Sequence, residues 1–143
     1  MRSLFDIGLL LALFDPLHVQ HDIAAEWWAA NKAHGWATSP ITQNGFIRIV
    51  TQVTYPNAVS PEIAMTILAA QIVESDHAFW PDDISLVEME RFDRDRILGP
   101  KQLTDIYLVG LAVRYGGRLA TLDRSISIAA VRHATAANVI VVS

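Results

Sequence analysis

Three aspartates stand where this sequence could do chemistry. Asp6 closes a short apolar stretch from Arg2 to Phe5, Asp123 closes another from Arg118 to Leu122, and Asp105 opens the apolar run that continues to Val113. Carboxylates brought together repel, and each is pushed toward protonation unless a cation holds them. The chain has no cysteine, and oxygen donors without imidazole or thiolate among them favour Mg2+ or Mn2+, ions that keep waters and complete their shell on a substrate phosphate. The chemistry this predicts is metal-assisted hydrolysis of a phosphate ester. A phosphatase with an aspartyl nucleophile fits less well, because Asp6-Ile7-Gly8 lacks a second acid two residues on.

These acids need elements to position them. Arg2 to Phe5 reads as a first strand with its acid at the carboxyl end, and Ile7 to Phe14, apolar throughout, reads as a buried helical turn or two that Asp15-Pro16 breaks. A helix is expected over His18 to His34, a second strand over Trp36 to Thr38, and a helix opened by Ser39-Pro40 over Ile41 to Val53. Ser60-Pro61-Glu62 starts another helix, to Ser75, with Met65 as core filler. His77 to Trp80 is a third strand, and a short helix is expected over Ile84 to Arg91. Thr104 is the expected cap of the helix that carries Asp105 in its first turn, where the macrodipole favours a carboxylate, and Gly116-Gly117 stop it. Arg118 to Leu122 is a fourth strand, Arg124 to Arg132 one more short helix, and Asn138 to Val142 a closing strand. Alternating strands and helices predict an α/β sandwich whose sheet is mainly parallel. In such sheets ligands bind at the carboxyl ends of the strands, where Asp6 and Asp123 stand.

Composition narrows the class. With 143 residues, about half apolar, and no linker or repeat, one core and one domain over 1–143 are expected. The absence of cysteine fits a reducing cytoplasm. The apolar run at Ile7 to Phe14 is too short to span a bilayer, and Asp6 and Asp15 bracket it without a small-residue cleavage site, so neither a membrane nor export is expected. A net charge of −4 argues against a broad electrostatic grip on nucleic acid, although a local cation or a metal still engages a phosphate. His18 and His21 have metal-ligand spacing, but no third ligand of their kind stands near, so they read as polar residues at a helix start.

The stretches Leu4-Phe5-Asp6, Thr42-Gln43-Asn44-Gly45-Phe46, Leu103-Thr104-Asp105-Ile106 and Ala120-Thr121-Leu122-Asp123 resemble the PIN-domain ribonucleases, and within them the toxins of VapBC-type toxin–antitoxin pairs. The resemblance covers nearly the whole chain. It implies a three-layer α/β sandwich in which Asp6 and Asp105 are the principal Mg2+ ligands, Asp123 completes the acidic pocket, and Thr121, Arg48 and Thr104 support it. It further implies an endoribonuclease acting on structured RNA such as tRNA, a homodimer, and silencing by an antitoxin protein. The family has Glu where Gln43 stands, and commonly Asn where Gly8 stands. Losing one negative charge at the position of Gln43 implies a weakened or inactive catalytic site, whether by nature or by design; the alternative is a non-catalytic module that binds RNA or antitoxin. The apolar helices around Trp27 and over Ile63 to Val73 are the expected docking faces for antitoxin or a second subunit.

Overall fold

Strands buried on both faces read as short apolar runs, and those runs set this architecture. In the computed structural model, which describes every residue from Met1 to Ser143, five strands, β1 (Ser3–Phe5), β2 (Trp36–Thr38), β3 (His77–Phe79), β4 (Arg118–Thr121) and β5 (Val139–Val141), form one sheet. Its order is β3-β2-β1-β4-β5 and every pairing is parallel. Five α-helices accompany it: α1 (Ile7–Phe14), α2 (His21–Asn31), α3 (Pro40–Val50), α4 (Pro61–Glu74) and α5 (Leu103–Arg114). The expected α/β sandwich is the observed fold.

Two cores lie on the two sides of the sheet. Leu4 pairs with Leu119, and both pack with Ala37 against the buried face of α5. One residue on, Phe5 pairs with Ala120, and these pack with Trp36 against α1, α3 and α4. The pleat thus sends alternate residues of the same strands into opposite layers. From β1 the chain steps outward to β2 and β3, then returns to lay β4 on the other side of β1. The junction of β1 and β4 is therefore the switch point of the sheet, where a crevice opens at the carboxyl ends.

Local signals fix the helix starts. The Ser39 hydroxyl accepts the Thr42 N–H while the Thr42 hydroxyl accepts the Ser39 N–H, a reciprocal cap with Pro40 in the first turn. Ser60 caps α4 through the Ile63 N–H. The α3 helix ends at Val50, three residues before the expected end. Within it, Gly45 leaves room for α1: a Cβ there would lie 2.2 Å from Ile7 Cδ1. Replacing Gly45 with Ala should cost about 1–3 kcal/mol through overpacking against Ile7. Urea denaturation checks this, and an unchanged midpoint would mean that α1 and α3 separate freely.

Several expectations are corrected. The short helices expected over Ile84 to Arg91 and Arg124 to Arg132 do not form. Their backbones are spent on each other: the Asp93 N–H donates to the Ala130 carbonyl and the Arg132 N–H to the Arg91 carbonyl, each at 2.9 Å, around an antiparallel Phe92–Val131 bridge. Phe92 is fully buried at its centre, and burying it on α5 outweighs local helix preference. Met65 is not core: α4 buries only Ala64 and Leu68, and leaves Ile63, Met65 and Val73 exposed. Thr104 is not a cap, since Gln102 holds that position without a side-chain bond and Thr104 lies exposed inside α5. His18 Nδ1 accepts the Gln20 N–H and His21 Nδ1 bonds the Ala12 carbonyl, so the two imidazoles serve the turn between α1 and α2.

Candidate active site

Asp6 is placed by three bonds. Its N–H continues the ladder to the Ala120 carbonyl at 3.1 Å, and it is the N-cap of α1, with Oδ1 accepting the Leu9 N–H at 2.8 Å. Oδ2 accepts the hydroxyl of Thr121, the last residue of β4. The same Thr121 oxygen accepts the Asp123 N–H at 3.0 Å, so one buried hydroxyl aligns both acids. Asp123 is exposed, and its Oδ1 accepts from the Ser125 N–H at 2.8 Å and the Ser125 hydroxyl at 2.6 Å. Asp105 sits half-buried in the first turn of α5.

Electrostatics bind the three into one cluster. Burial lifts the Asp6 pKa to about 6; bonds from Thr121 and Leu9 work against that, and the charges of Asp105 and Asp123 reinforce it. Burial and then the Asp123 charge also raise Asp105. Bonds from Ser125 hold Asp123 low. None of the three takes part in the four ion pairs of the chain. Their repulsion is thus uncompensated by protein cations, and hard oxygen donors in this state fit a divalent cation. No three acidic or histidine side chains stand close enough to enclose an ion as a set, so the donor set suits an ion held by one or two carboxylates and water.

Beside the acids lies a cavity of about 340 Å3 whose polar lining is Asp105, Asp123, Lys101, Gln102, Ser125 and Ser127. Asp6 does not line it. Reasoning from sequence passed over these last four residues. The only signal for them was proximity in sequence to Asp105 and Asp123.

The chain is 43% identical over 135 residues to ribonuclease VapC44 of Mycobacterium tuberculosis, a match spanning 94% of this chain and 95% of that protein. It is 40% identical over 128 residues to ribonuclease VapC39 of the same organism, across 89% of this chain and 92% of that one. The chain belongs to the VapC ribonucleases. A third relative in that family, ribonuclease VapC38, is 38% identical over 125 residues, 87% of this chain and 86% of its own length. No family model matches the chain.

Two further residues that the resemblance to VapC toxins implicated, Gln43 and Arg48, stand on α3. The Gln43 amide donates to the Thr38 hydroxyl at 2.9 Å, and Thr38 is in turn bonded to His77 Nε2 at 2.8 Å. Thr38 is the last residue of β2, so this bond ties α3 to the carboxyl-end side of the sheet, the side on which Asp6 follows β1. A Glu at this position would meet the same hydroxyl as an acceptor instead of a donor. Arg48 is exposed, about 140° around α3 from Gln43 at helical spacing, and it forms no ion pair.

Proposed function

We propose that this chain is a divalent-metal-dependent endoribonuclease, the toxin of a toxin–antitoxin pair, with Mg2+ as its working ion and Mn2+ as a substitute. The observation that carries this reading is the convergence of Asp6, Asp105 and Asp123 at the switch point of a sheet whose relatives are VapC ribonucleases. Asp6 and Asp105 hold the ion, Asp6 oriented by Thr121 and the Leu9 amide. When bound, a divalent cation stabilises the charge that gathers on the phosphoryl oxygens and makes water easier to deprotonate. Asp123, kept ionised by Ser125, orients the attacking water and receives its proton. The substrate is RNA, and we infer a structured one such as tRNA.

The protein acts in the cytoplasm as a homodimer, silenced by its antitoxin. Ile63, Met65 and Val73, exposed along α4, are apolar surface for one of these partners. Trp27 and Trp28 are only half-buried, edge-on to Phe5, and belong to the same side of the sheet. No helix is long and apolar enough to cross a membrane.

Gln43 weakens or silences this activity. Its engagement with Thr38 favours, as the second reading, a module that binds RNA or antitoxin without cleaving. The test is Mg2+-dependent cleavage of total tRNA by the parent, by Gln43→Glu and by an Asp6→Asn control. Cleavage by Gln43→Glu at roughly ten times the parent's rate or more is expected, from the restored charge beside the ion, with none from the control. Silence in all three would leave the binding module as the better description.

A further inference from the structure

The cavity beside the acids is lined by hydrogen-bond donors that the chain leaves unused. Lys101, exposed on the 3-10 turn Pro100–Gln102, takes part in no ion pair although two carboxylates share its cavity. The Gln102 carbonyl oxygen accepts the Leu98 N–H at 2.9 Å, which leaves its NH2 group free to donate. Ser127 Oγ accepts the Ala129 N–H at 3.2 Å and keeps its own proton available. Ser125, by contrast, is committed to Asp123. An ammonium, an amide and a hydroxyl converging beside a metal-binding acid pair suit a phosphodiester.

Location decides which phosphodiester. Asp6, buried beneath the other two acids' side of the crevice, does not line the cavity, while Asp105 and Asp123 do. The cavity therefore extends from those two acids to residues that Asp6 does not share. Its apolar lining is Ile106 and Ile126, so no aromatic ring offers a base a stacking platform.

Resting on the ribonuclease reading above, we propose that this cavity is the subsite for the nucleotide flanking the scissile phosphate, and that Lys101, with Gln102 and Ser127, grips that nucleotide's own phosphate. The grip is indifferent to base identity, because nothing in the lining reads a base face. It acts on substrate binding and leaves the chemical step alone.

The test uses the parent or Gln43→Glu, whichever cleaves RNA. In Lys101→Ala, KM for the cleaved tRNA should rise about tenfold, the effect of one lost charged hydrogen bond, with kcat within about twofold. The slope of log KM against log salt should shrink by about one phosphate contact. Lys101→Arg should restore most of the binding. Ser127→Ala and Gln102→Ala should each raise KM a few-fold, as neutral contacts do. Equilibrium binding of the same RNA, followed by fluorescence anisotropy in Ca2+, should weaken in parallel. Lys32→Ala serves as the charge-matched control: Lys32 precedes the amino end of β2, whereas the acids follow the carboxyl ends of β1 and β4, and its loss should change nothing. Unchanged KM and salt slope in Lys101→Ala would overturn the subsite. A fall in kcat at constant KM would also overturn it, by moving Lys101 to the scissile phosphate. A protein that neither binds nor cleaves RNA, as parent or as Gln43→Glu, would instead bring down the ribonuclease reading itself.

Discussion

In buffer freed of divalent ions, the parent protein should lose about 3 kcal/mol of stability between about pH 4 and about pH 7 through Asp6 alone, and Asp6→Asn should not. The cause is burial, which raises the Asp6 pKa from 3.8 to about 6, with Asp105 and Asp123 adding repulsion and the bonds from Thr121 and Leu9 offsetting only part. The ionised form is therefore disfavoured in the folded state relative to the unfolded one. The stabilisation is fully present below the unfolded value of 3.8 and is lost as pH rises through about 6. Asn keeps the capping oxygen for Leu9, since it is as good an N-cap as Asp, and carries no charge to desolvate. Urea denaturation across this range should show the two proteins diverging as pH rises, with the variant the more stable at neutral pH. Mg2+ added at pH 7 should return stability to the parent and little to the variant. Parallel curves for the two would show that Asp6 is not desolvated in the way described.

The second large effect is on turnover. Asp105→Asn should lower Mg2+-dependent RNA cleavage about a thousandfold, the scale expected when a preorganised charge at the reacting centre is lost, while leaving the fold intact. Asp105 is half-buried in the first turn of α5, and burial followed by the Asp123 charge already raises its pKa. Removing that charge relieves repulsion, so the melting temperature of the metal-free variant should equal or exceed the parent's. Cleavage and melting measured side by side decide this. A variant that loses activity only because it unfolds would contradict the assignment, and so would one that cleaves normally. Together the two substitutions separate stability from chemistry in opposite directions, as expected where repelling charges are retained for function.

Much of this arrangement was legible because strongly local signals carry it. An aspartate directly after the short, mostly apolar segment ending in Leu4-Phe5 placed Asp6 at a strand end, and Ser39-Pro40 and Ser60-Pro61 announced helix starts that the structure keeps. What escaped was decided by distant partners. The stretches 84–91 and 124–132 look helical in isolation, but residues 91–93 and 130–132 pair with each other across nearly forty residues. Neither stretch reports the existence of the other. Arg48 was brought in by resemblance alone, and it lies exposed on α3. Gln43 was read as a substitution of charge; its tie to Thr38 and His77 depends on how β2, β3 and α3 come together, which no local pattern encodes. The donors around the acid cavity were missed for the same reason, since a lysine and a serine have nothing distinctive until the fold sets them beside Asp105 and Asp123.

Asp6 caps α1 with one carboxylate oxygen and meets Thr121 with the other. That double duty constrains how a lineage carrying this chain could shed its activity. A change at this position to Leu or Ala would take the reactive group and the helix cap together, and the lost cap costs about 0.5–2 kcal/mol. Only Asn, Ser or Thr can silence the position and still begin the helix. Attenuated descendants should accordingly be sought among sequences with one of those three residues at position 6, with the strand before it and the helix after it otherwise unaltered.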